Sequence, residues 1–250
     1  MMRTFRLLVS YDGTNYSGWQ AQRRQRSVQE TIEDAIAGVT GQKVRILASG
    51  RTDSGVHALG QVVSVRLETR LSAEVLQRAL NAVLPRDIAV LDATETHDGF
   101  HPTHHAVRKR YRYVIHDGPV RDVFRRGFCW HFNQGRLDEA AMQRSAAALV
   151  GTHDFSSFET TGSRLKDKVR TIFELSVRRG GDSQQDLITI EVEADGFLYN
   201  MVRALVGTLV EVGRGVQGET WPAEVLKAAD RRLAGPTAPP QGLFLVKVDY

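Results

Sequence analysis

The sequence predicts an α+β protein of two similar halves, each a mostly antiparallel sheet with helices packed on one face. Three observations carry that prediction. Short stretches that alternate apolar and polar residues, or are rich in β-branched ones, recur along the 250 residues. Helix-period segments with recognisable starts and stops lie between them. The order β-α-β-β-α-β up to Phe100 then nearly repeats, without any residue-level repeat.

In the first half, strands are expected at Thr4–Tyr11, Val44–Ala48, Gln61–Leu67 and Asp87–Ala93. Ser27 with Glu30 three residues on is a capping box. It opens a helix carrying Val28, Ile32, Ile36 and Val39, which Gly41 stops. Ser72 opens a second helix with Val75, Leu76, Ala79, Leu80 and Val83, and Pro85 ends it. In the second half, strands are expected at Tyr111–His116, Phe128–Phe132, Ile172–Arg178 and Leu187–Glu193, with a closing strand at Leu243–Val248. Helices are expected at Leu137–Leu149, Phe197–Val212 and Ala223–Leu233, with Pro222 suited to a first turn. The halves divide as 1–103 and 104–250, joined near 98–107, and a cleft between them is the expected place for the active site.

Composition sets the class. With 42% hydrophobic and 25% charged residues the chain reads as globular, not collagen-like, coiled-coil or disordered. A chain of this length buries roughly 70–75% of its unfolded surface, enough for a core without staples. The single cysteine, Cys129, rules out an internal disulfide and a thiolate zinc cluster, and reads as a small buried hydrophobe in a reducing compartment. Arg6 and Asp12 break the N-terminal segment before a signal-peptide core forms. Phe197–Val212 contains Arg203 and Glu211 and is shorter than the ~20 residues that span a bilayer. The expectation is a cytoplasmic protein without membrane association.

Net charge is only +4, but the positive charges cluster: Arg23, Arg24 and Arg26; Arg108, Lys109, Arg110 and Arg112; Arg121, Arg125 and Arg126; Arg164, Lys166, Lys168 and Arg170. One such group reads as a solvated face. Four of them, interleaved with Tyr111, Tyr113, Phe124 and Trp130, point to a polyanion.

The densest chemical signal is Ala48-Ser49-Gly50-Arg51-Thr52-Asp53-Ser54-Gly55-Val56-His57-Ala58, between two expected strands. Gly50 and Gly55 bracket Asp53, and Arg51 stands close enough in sequence to keep a carboxylate ionised. An ionised aspartate serves as nucleophile, base or metal ligand. A polar turn in which Asp53 bonds its own backbone is the common fate of such a residue. A calcium loop is excluded because the further carboxylates are missing, and a serine-hydrolase elbow because Gly-x-Ser-x-Gly is absent.

That run closely resembles the signature of the tRNA pseudouridine synthases that modify the anticodon stem-loop, the TruA-type family. Further landmarks follow in family order: Tyr11-Asp12-Gly13-Thr14-Asn15-Tyr16-Ser17-Gly18-Trp19-Gln20, Ser27-Val28-Gln29-Glu30, Asn81 with Leu84-Pro85 and Asp87-Ile88, Arg110-Tyr111-Arg112-Tyr113, Asp154-Phe155-Ser156-Ser157-Phe158, Asn200-Met201-Val202-Arg203 and Gly242-Leu243. They span almost the whole chain. The resemblance implies an enzyme that detaches uracil from its ribose, turns it and rejoins it through carbon five. No cofactor is needed, in keeping with the missing Rossmann and P-loop glycine patterns.

Carried over by position, Asp53 is the catalytic aspartate, Tyr111 contacts the target base, Arg203 pairs with Asp53, and Leu243 lies beneath the base. Arg51 supports the loop or engages the flipped nucleotide. His57, Arg24, Arg110, Lys166 and Lys168 complete the expected substrate contacts. Three routes fit Asp53: attack on the sugar carbon, addition to the base, or proton removal from the ribose. The implied partners are tRNA, through its anticodon stem-loop and elbow, and a second copy of the chain. One departure is Phe100-His101-Pro102-Thr103, where the family usually has Phe-His-Ala-Arg, so Thr103 replaces an RNA-facing arginine. His97, His101, His104 and His105 lack the cysteines and carboxylates of a metal site and read as RNA-facing.

Overall fold

The computed structural model describes residues 2–22, 25–160, 166–180 and 184–250. The chain is α+β and forms two compact units, Met1–Val107 with Phe244–Tyr250, and Arg108–Leu243.

In the first unit the strands are β1 (Met2–Tyr11), β2 (Leu47–Ala48), β3 (His57–Glu68) and β4 (Ile88–Thr96), with the helices α1 (Val28–Thr40) and α2 (Ala73–Val83). β1 lies antiparallel between β3 and β4, with Leu7 opposite Val63 and Ala93. Alternation along β1 sends Phe5, Leu7 and Val9 into the core, each fully buried. The helices close that core with Val28, Ile32 and Ile36 from α1 and Leu76 and Leu80 from α2, all fully buried. Each such side chain contributes about 1.5–3 kcal/mol. Both expected caps form: the Ser27 side chain accepts from the Glu30 amide, and the Ser72 side chain from the Val75 amide.

The strand expected at Val44–Ala48 shrinks to Leu47–Ala48. The Ile46 amide is taken by Glu33 Oε1 of α1 at 3.0 Å instead of by a neighbouring strand. The closing strand, β10 (Leu243–Asp249), leaves the second half to which the sequence assigned it. Phe244 and Leu245 pair in parallel with His57 and Ala58 of β3, and the Val107 amide donates to the Asp249 carbonyl. The last seven residues therefore complete the first unit.

The second unit has the antiparallel order β5-β9-β8-β7: β5 (Arg108–His116), β7 (Gly151–Asp154), β8 (Val169–Arg179) and β9 (Leu187–Ala194). Short β6 (Trp130–His131) runs parallel to β5. The helices are α3 (Glu139–Ala146), α4 (Met201–Gly213) and α5 (Trp221–Ala228). Each expected element exists; β6 and the three helices are shorter than expected, while β5, β8 and β9 run longer. Phe128 drops out of β6 because its amide closes a turn onto the Arg125 carbonyl. Leu137 drops out of α3 because its amide donates to Asp117 and Asp138 forms the cap. α4 cannot begin at Phe197 because Asn200 is left-handed, with φ 61, and Ala229, with φ 48, ends α5. β7, a polar Gly-Thr-His-Asp edge strand, has no sequence signal. Cys129 is buried, as its lone apolar reading requires, and burial pushes its thiol pKa up.

Candidate active site

In the first unit, the segment from Ser49 to Val56 is stitched at both ends. The Ser49 amide donates to the Val62 carbonyl at 2.9 Å and its hydroxyl to Gln61 Oε1 at 2.6 Å, while Gln61 Nε2 donates to the Gly50 carbonyl at 2.9 Å. Thr52 is gripped from the Tyr11–Gln20 loop. The Trp19 amide donates to its carbonyl at 3.0 Å, and the Tyr11 and Thr52 hydroxyls bond at 2.8 Å. Burial pushes the Tyr11 phenol up to about 12, so this hydroxyl stays neutral. Ser54 donates its hydroxyl to the Tyr16 carbonyl at 3.1 Å, and the Val56 amide closes a turn onto the Asp53 carbonyl at 3.1 Å. Each bond contributes about 1 kcal/mol, and together they fix the backbone around a half-buried Asp53.

The two loops touch so closely that a Cβ on Gly13 would stand 2.0 Å from the Val56 carbonyl oxygen. Gly13→Ala is therefore expected to push the Asp53 loop aside and lower kcat by about 100-fold, since a displacement of 1 Å costs that much. The check is kcat alongside a thermal melt. A kcat within threefold of the parent's would show that the loop does not need this contact.

His57 is placed differently from its expected role as a substrate contact. Its side chain is 1% exposed and stacks on Phe244 at 4.8 Å. The Gly13 amide donates to His57 Nδ1 at 3.0 Å, which requires a lone pair there and puts the neutral ring's proton on Nε2. The Asp12 carboxylate, 3.1 Å from the same nitrogen, instead accepts from the Thr14 amide and hydroxyl at 2.9 and 2.6 Å. His57 is thus a buried pin under the loop. Arg51 is exposed and makes no ion pair among the described residues.

Thr103, where an arginine was expected, donates its hydroxyl to the Ala48 carbonyl at 2.7 Å and anchors the histidine turn to the start of the same loop. Within that turn His101 Nδ1 accepts from the Thr103 and His104 amides at 3.2 and 3.3 Å. Burial, then the neighbouring His104 and His105, push the His101 pKa down. Among the described residues, no group of three or more His, Cys, Asp or Glu side chains could hold a metal ion. No described helix is long and apolar enough to cross a membrane.

In the second unit, alternation along β5 sorts the expected residues by face. Tyr111, Tyr113 and Ile115 are buried together, opposite Val192, Ile190 and Ile188 of β9. Tyr111 meets Phe197 edge to face at 4.9 Å, a partner the sequence did not single out. Arg203, in the first turn of α4, is held by the Ala238 carbonyl on Nε at 2.7 Å and by Asn200 Oδ1 on Nη1 at 2.8 Å. Its charge pulls against the burial that raises the neighbouring Tyr113 phenol well above its ordinary pKa. Leu243 is buried at 5% exposure.

Arg110 is a correction. It lies on the opposite face of β5 from Tyr111, where Glu193, Glu174 and Glu191 take its guanidinium at 2.9, 2.8 and 3.4 Å. Those bonds, from Glu193 first, raise its pKa. It is neutralised where it stands rather than directed at a substrate on the Tyr111 face. Lys168 pairs with the buried Glu159 at 2.6 Å, Lys166 is exposed, and Arg24 and Arg164 lie outside the described residues.

The family model described as tRNA pseudouridine synthase matches residues 7–105 and 145–250. This chain belongs to the tRNA pseudouridine synthase family. Curated relatives support the assignment over full length. The tRNA pseudouridine synthase A of Thermoanaerobacter sp. (strain X514) is 46% identical over 249 residues, covering 100% of both chains. That of Acetivibrio thermocellus is 43% identical over 250 residues, again 100% of both. Among solved structures, a Cbf5-Nop10-Gar1 complex aligns with 96% of this chain and 57% of its own at 12% identity, with a TM-score of 0.36, a likeness too low to argue from. As a member of the tRNA pseudouridine synthase family the chain is an isomerase, and uridine isomerisation in tRNA is the family's function. The matched stretches include the Asp53 loop, Arg203 and Leu243, while Tyr111 falls between them.

Proposed function

We propose that this pseudouridine synthase acts on uridines on the 3′ side of the tRNA anticodon stem-loop, as a cytoplasmic homodimer, with Asp53 as the carboxylate that performs the chemistry. The observation that carries this reading is the Asp53 loop, tied at both ends to buried partners while Asp53 itself is only half-buried. The target base has to leave its stack, which costs a few kcal/mol. Packing against an aromatic ring returns about 1–3 kcal/mol of that, and Tyr111, backed by Phe197, is the ring proposed for it.

In this reading Arg203 is the partner that keeps Asp53 ionised beneath the base, where burial alone would raise its pKa. Its guanidinium is already oriented by Ala238 and Asn200. The bond from ribose C1′ to N1 breaks, one from C1′ to C5 forms, and the proton lost from C5 is balanced by one taken up at N1, so the product is an isomer. Leu243 is the apolar contact below the base, Arg51 meets the flipped nucleotide, and Lys166 and Lys168 meet phosphates towards the elbow. The neutralised Arg110 is not assigned a substrate contact.

The test is incubation with unmodified tRNA transcripts followed by pseudouridine mapping. Pseudouridine confined to the 3′ side of the anticodon stem and loop is expected. Modification elsewhere would overturn the regional assignment, and release of free uracil would identify a nucleoside hydrolase. Sedimentation of the protein alone should give the mass of two chains.

A further inference from the structure

We propose that the turn at residues 120–128, between β5 and β6, is a nucleotide-stacking site in which the Phe124 ring takes an unpaired base of the tRNA and Arg121 and Arg126 take the phosphates beside it. The site goes beyond the reading above, because it gives no role to Asp53 or Tyr111 and belongs to the second unit alone.

Arg121, Arg125 and Arg126 surround Phe124 in sequence. Folding leaves Phe124 89% exposed, and Val120 and Val123 beside it are exposed as well. A ring of that size is ordinarily buried, and three exposed apolar side chains within five residues make a patch rather than a stray contact. Among the described residues no ring stacks on Phe124.

The turn that displays the ring is held from within. Asp122 Oδ1 accepts the Phe124 and Arg125 amides at 2.9 and 3.1 Å, and Oδ2 takes Arg125 Nη1 at 2.7 Å. The Phe128 amide and the thiol of the buried Cys129 both donate to the Arg125 carbonyl, at 2.8 and 3.3 Å. Before the turn, the Gly118 carbonyl bonds His131 Nε2 at 3.1 Å. A ring held outward in this way loses little freedom on meeting a ligand.

Charge selects the ligand. Asp122 is committed to Arg125 and to two amides, and those bonds, from Arg125 first, hold its carboxyl below the ordinary pKa. Arg121 and Arg126 have no acidic partner among the described residues, and Arg126 gives one bond, from Nη1 to the Val123 carbonyl at 2.6 Å. Arg121 lies three residues before Phe124 and Arg126 two after, and three residues span at most about 10 Å, so both guanidinium groups reach what lies on the ring. Arg125 and Phe128 line a cavity of about 510 Å3 with Arg178 of β8, another arginine without an acidic partner among the described residues. An open ring amid unneutralised arginines fits a base flanked by phosphates, since every base offers a π face and the phosphates supply the missing negative charge. A second copy of the chain fits worse: a symmetric contact centred on this turn would set its arginines against themselves.

The test is binding of an unmodified tRNA transcript across a salt series, with Phe124→Ala, Phe124→Leu, Phe124→Tyr, Arg121→Gln and Arg126→Gln beside the parent. Phe124→Ala and Phe124→Leu are expected to raise Kd about 5- to 100-fold, the loss of one base stack, with an unchanged slope of log Kd against log salt. Phe124→Tyr should keep the parental Kd. Each Gln variant should reduce the slope by about 0.7–0.9, the loss of one phosphate contact. Parental binding by Phe124→Leu overturns the stack, because a merely apolar contact would then suffice, and full slopes in both Gln variants overturn the phosphate contacts. Should Arg126→Gln fail to fold, Arg121→Gln decides the slope alone. A parent that sediments as two chains and a Phe124→Ala variant that sediments as one would overturn the proposal and assign the turn to contact between copies. Binding is read directly, so the outcome is independent of where pseudouridine forms.

Discussion

Replacing Asp53 with Asn is expected to lower the rate of pseudouridine formation by about four orders of magnitude or more, as removal of a covalent or acid-base catalyst does elsewhere. The substitution is nearly isosteric. The contacts that shape the loop run through the Asp53 backbone carbonyl, the Thr52 hydroxyl and carbonyl, and the Ser54 hydroxyl, none of which the substitution removes. What disappears is the negative charge, and with it nucleophilic and basic character on every route open to the carboxylate. Affinity for tRNA should stay within about threefold, because binding is dominated by phosphate contacts. The measurement is single-turnover conversion of an unmodified transcript with a binding titration in parallel. Turnover within tenfold of the parent would remove Asp53 from its role. Loss of both binding and turnover would show that the side chain shapes the loop instead, a result Asp53→Ala would reproduce.

The second large effect concerns stability. Asp117 and Arg179 form a two-pronged pair at 2.8 and 2.9 Å in the second unit, with side chains 0% and 11% exposed. The Leu137 amide adds a bond to Asp117, and Glu139 accepts from Arg179 Nε at 2.9 Å. Burial alone would raise the Asp117 pKa, but the bonds from Arg179 and Leu137 outweigh it and hold the carboxyl below its ordinary value. Arg179→Met should therefore cost about 3–5 kcal/mol, because it strands a buried carboxylate. The double variant Asp117→Leu with Arg179→Met should recover much of that loss. Denaturant melts of the parent, Arg179→Met and the double variant measure it, and a cost below about 1 kcal/mol for Arg179→Met would contradict the network's buried character.

The pH dependence follows from the direction of the shift. A depressed folded-state pKa means that the Asp117 contribution is fully present above its unfolded value, near 3.8. It is lost as pH falls below that value, through the lower folded one. Parent and Arg179→Met should therefore converge in stability in strong acid and separate as pH rises.

Much of the fold was legible because its signals are local. Serines at positions 27 and 72 cap their helices through residues three positions away, and alternation along β1, β5 and β9 names their buried faces. The Asp53 loop was legible for a different reason: its residues are contiguous, so chemistry and spacing appear together in one run. β7 was not legible, since four polar residues carry no pattern until β8 offers them a partner. Val44–Ile46 has the composition of a strand, yet a carboxylate from α1 takes the Ile46 amide.

By itself the sequence determined the α+β class, the order of nearly all the elements, the family and the candidate aspartate, because these depend on residues a few positions apart or on ordered motifs. Tertiary structure decided that the last seven residues complete the first unit, that His57 is buried beneath the loop it was expected to serve, and that Arg110 is neutralised on the face opposite Tyr111. These outcomes depend on which strands pair and in what register, and a charged side chain's availability is set by partners that lie tens of residues away along the chain.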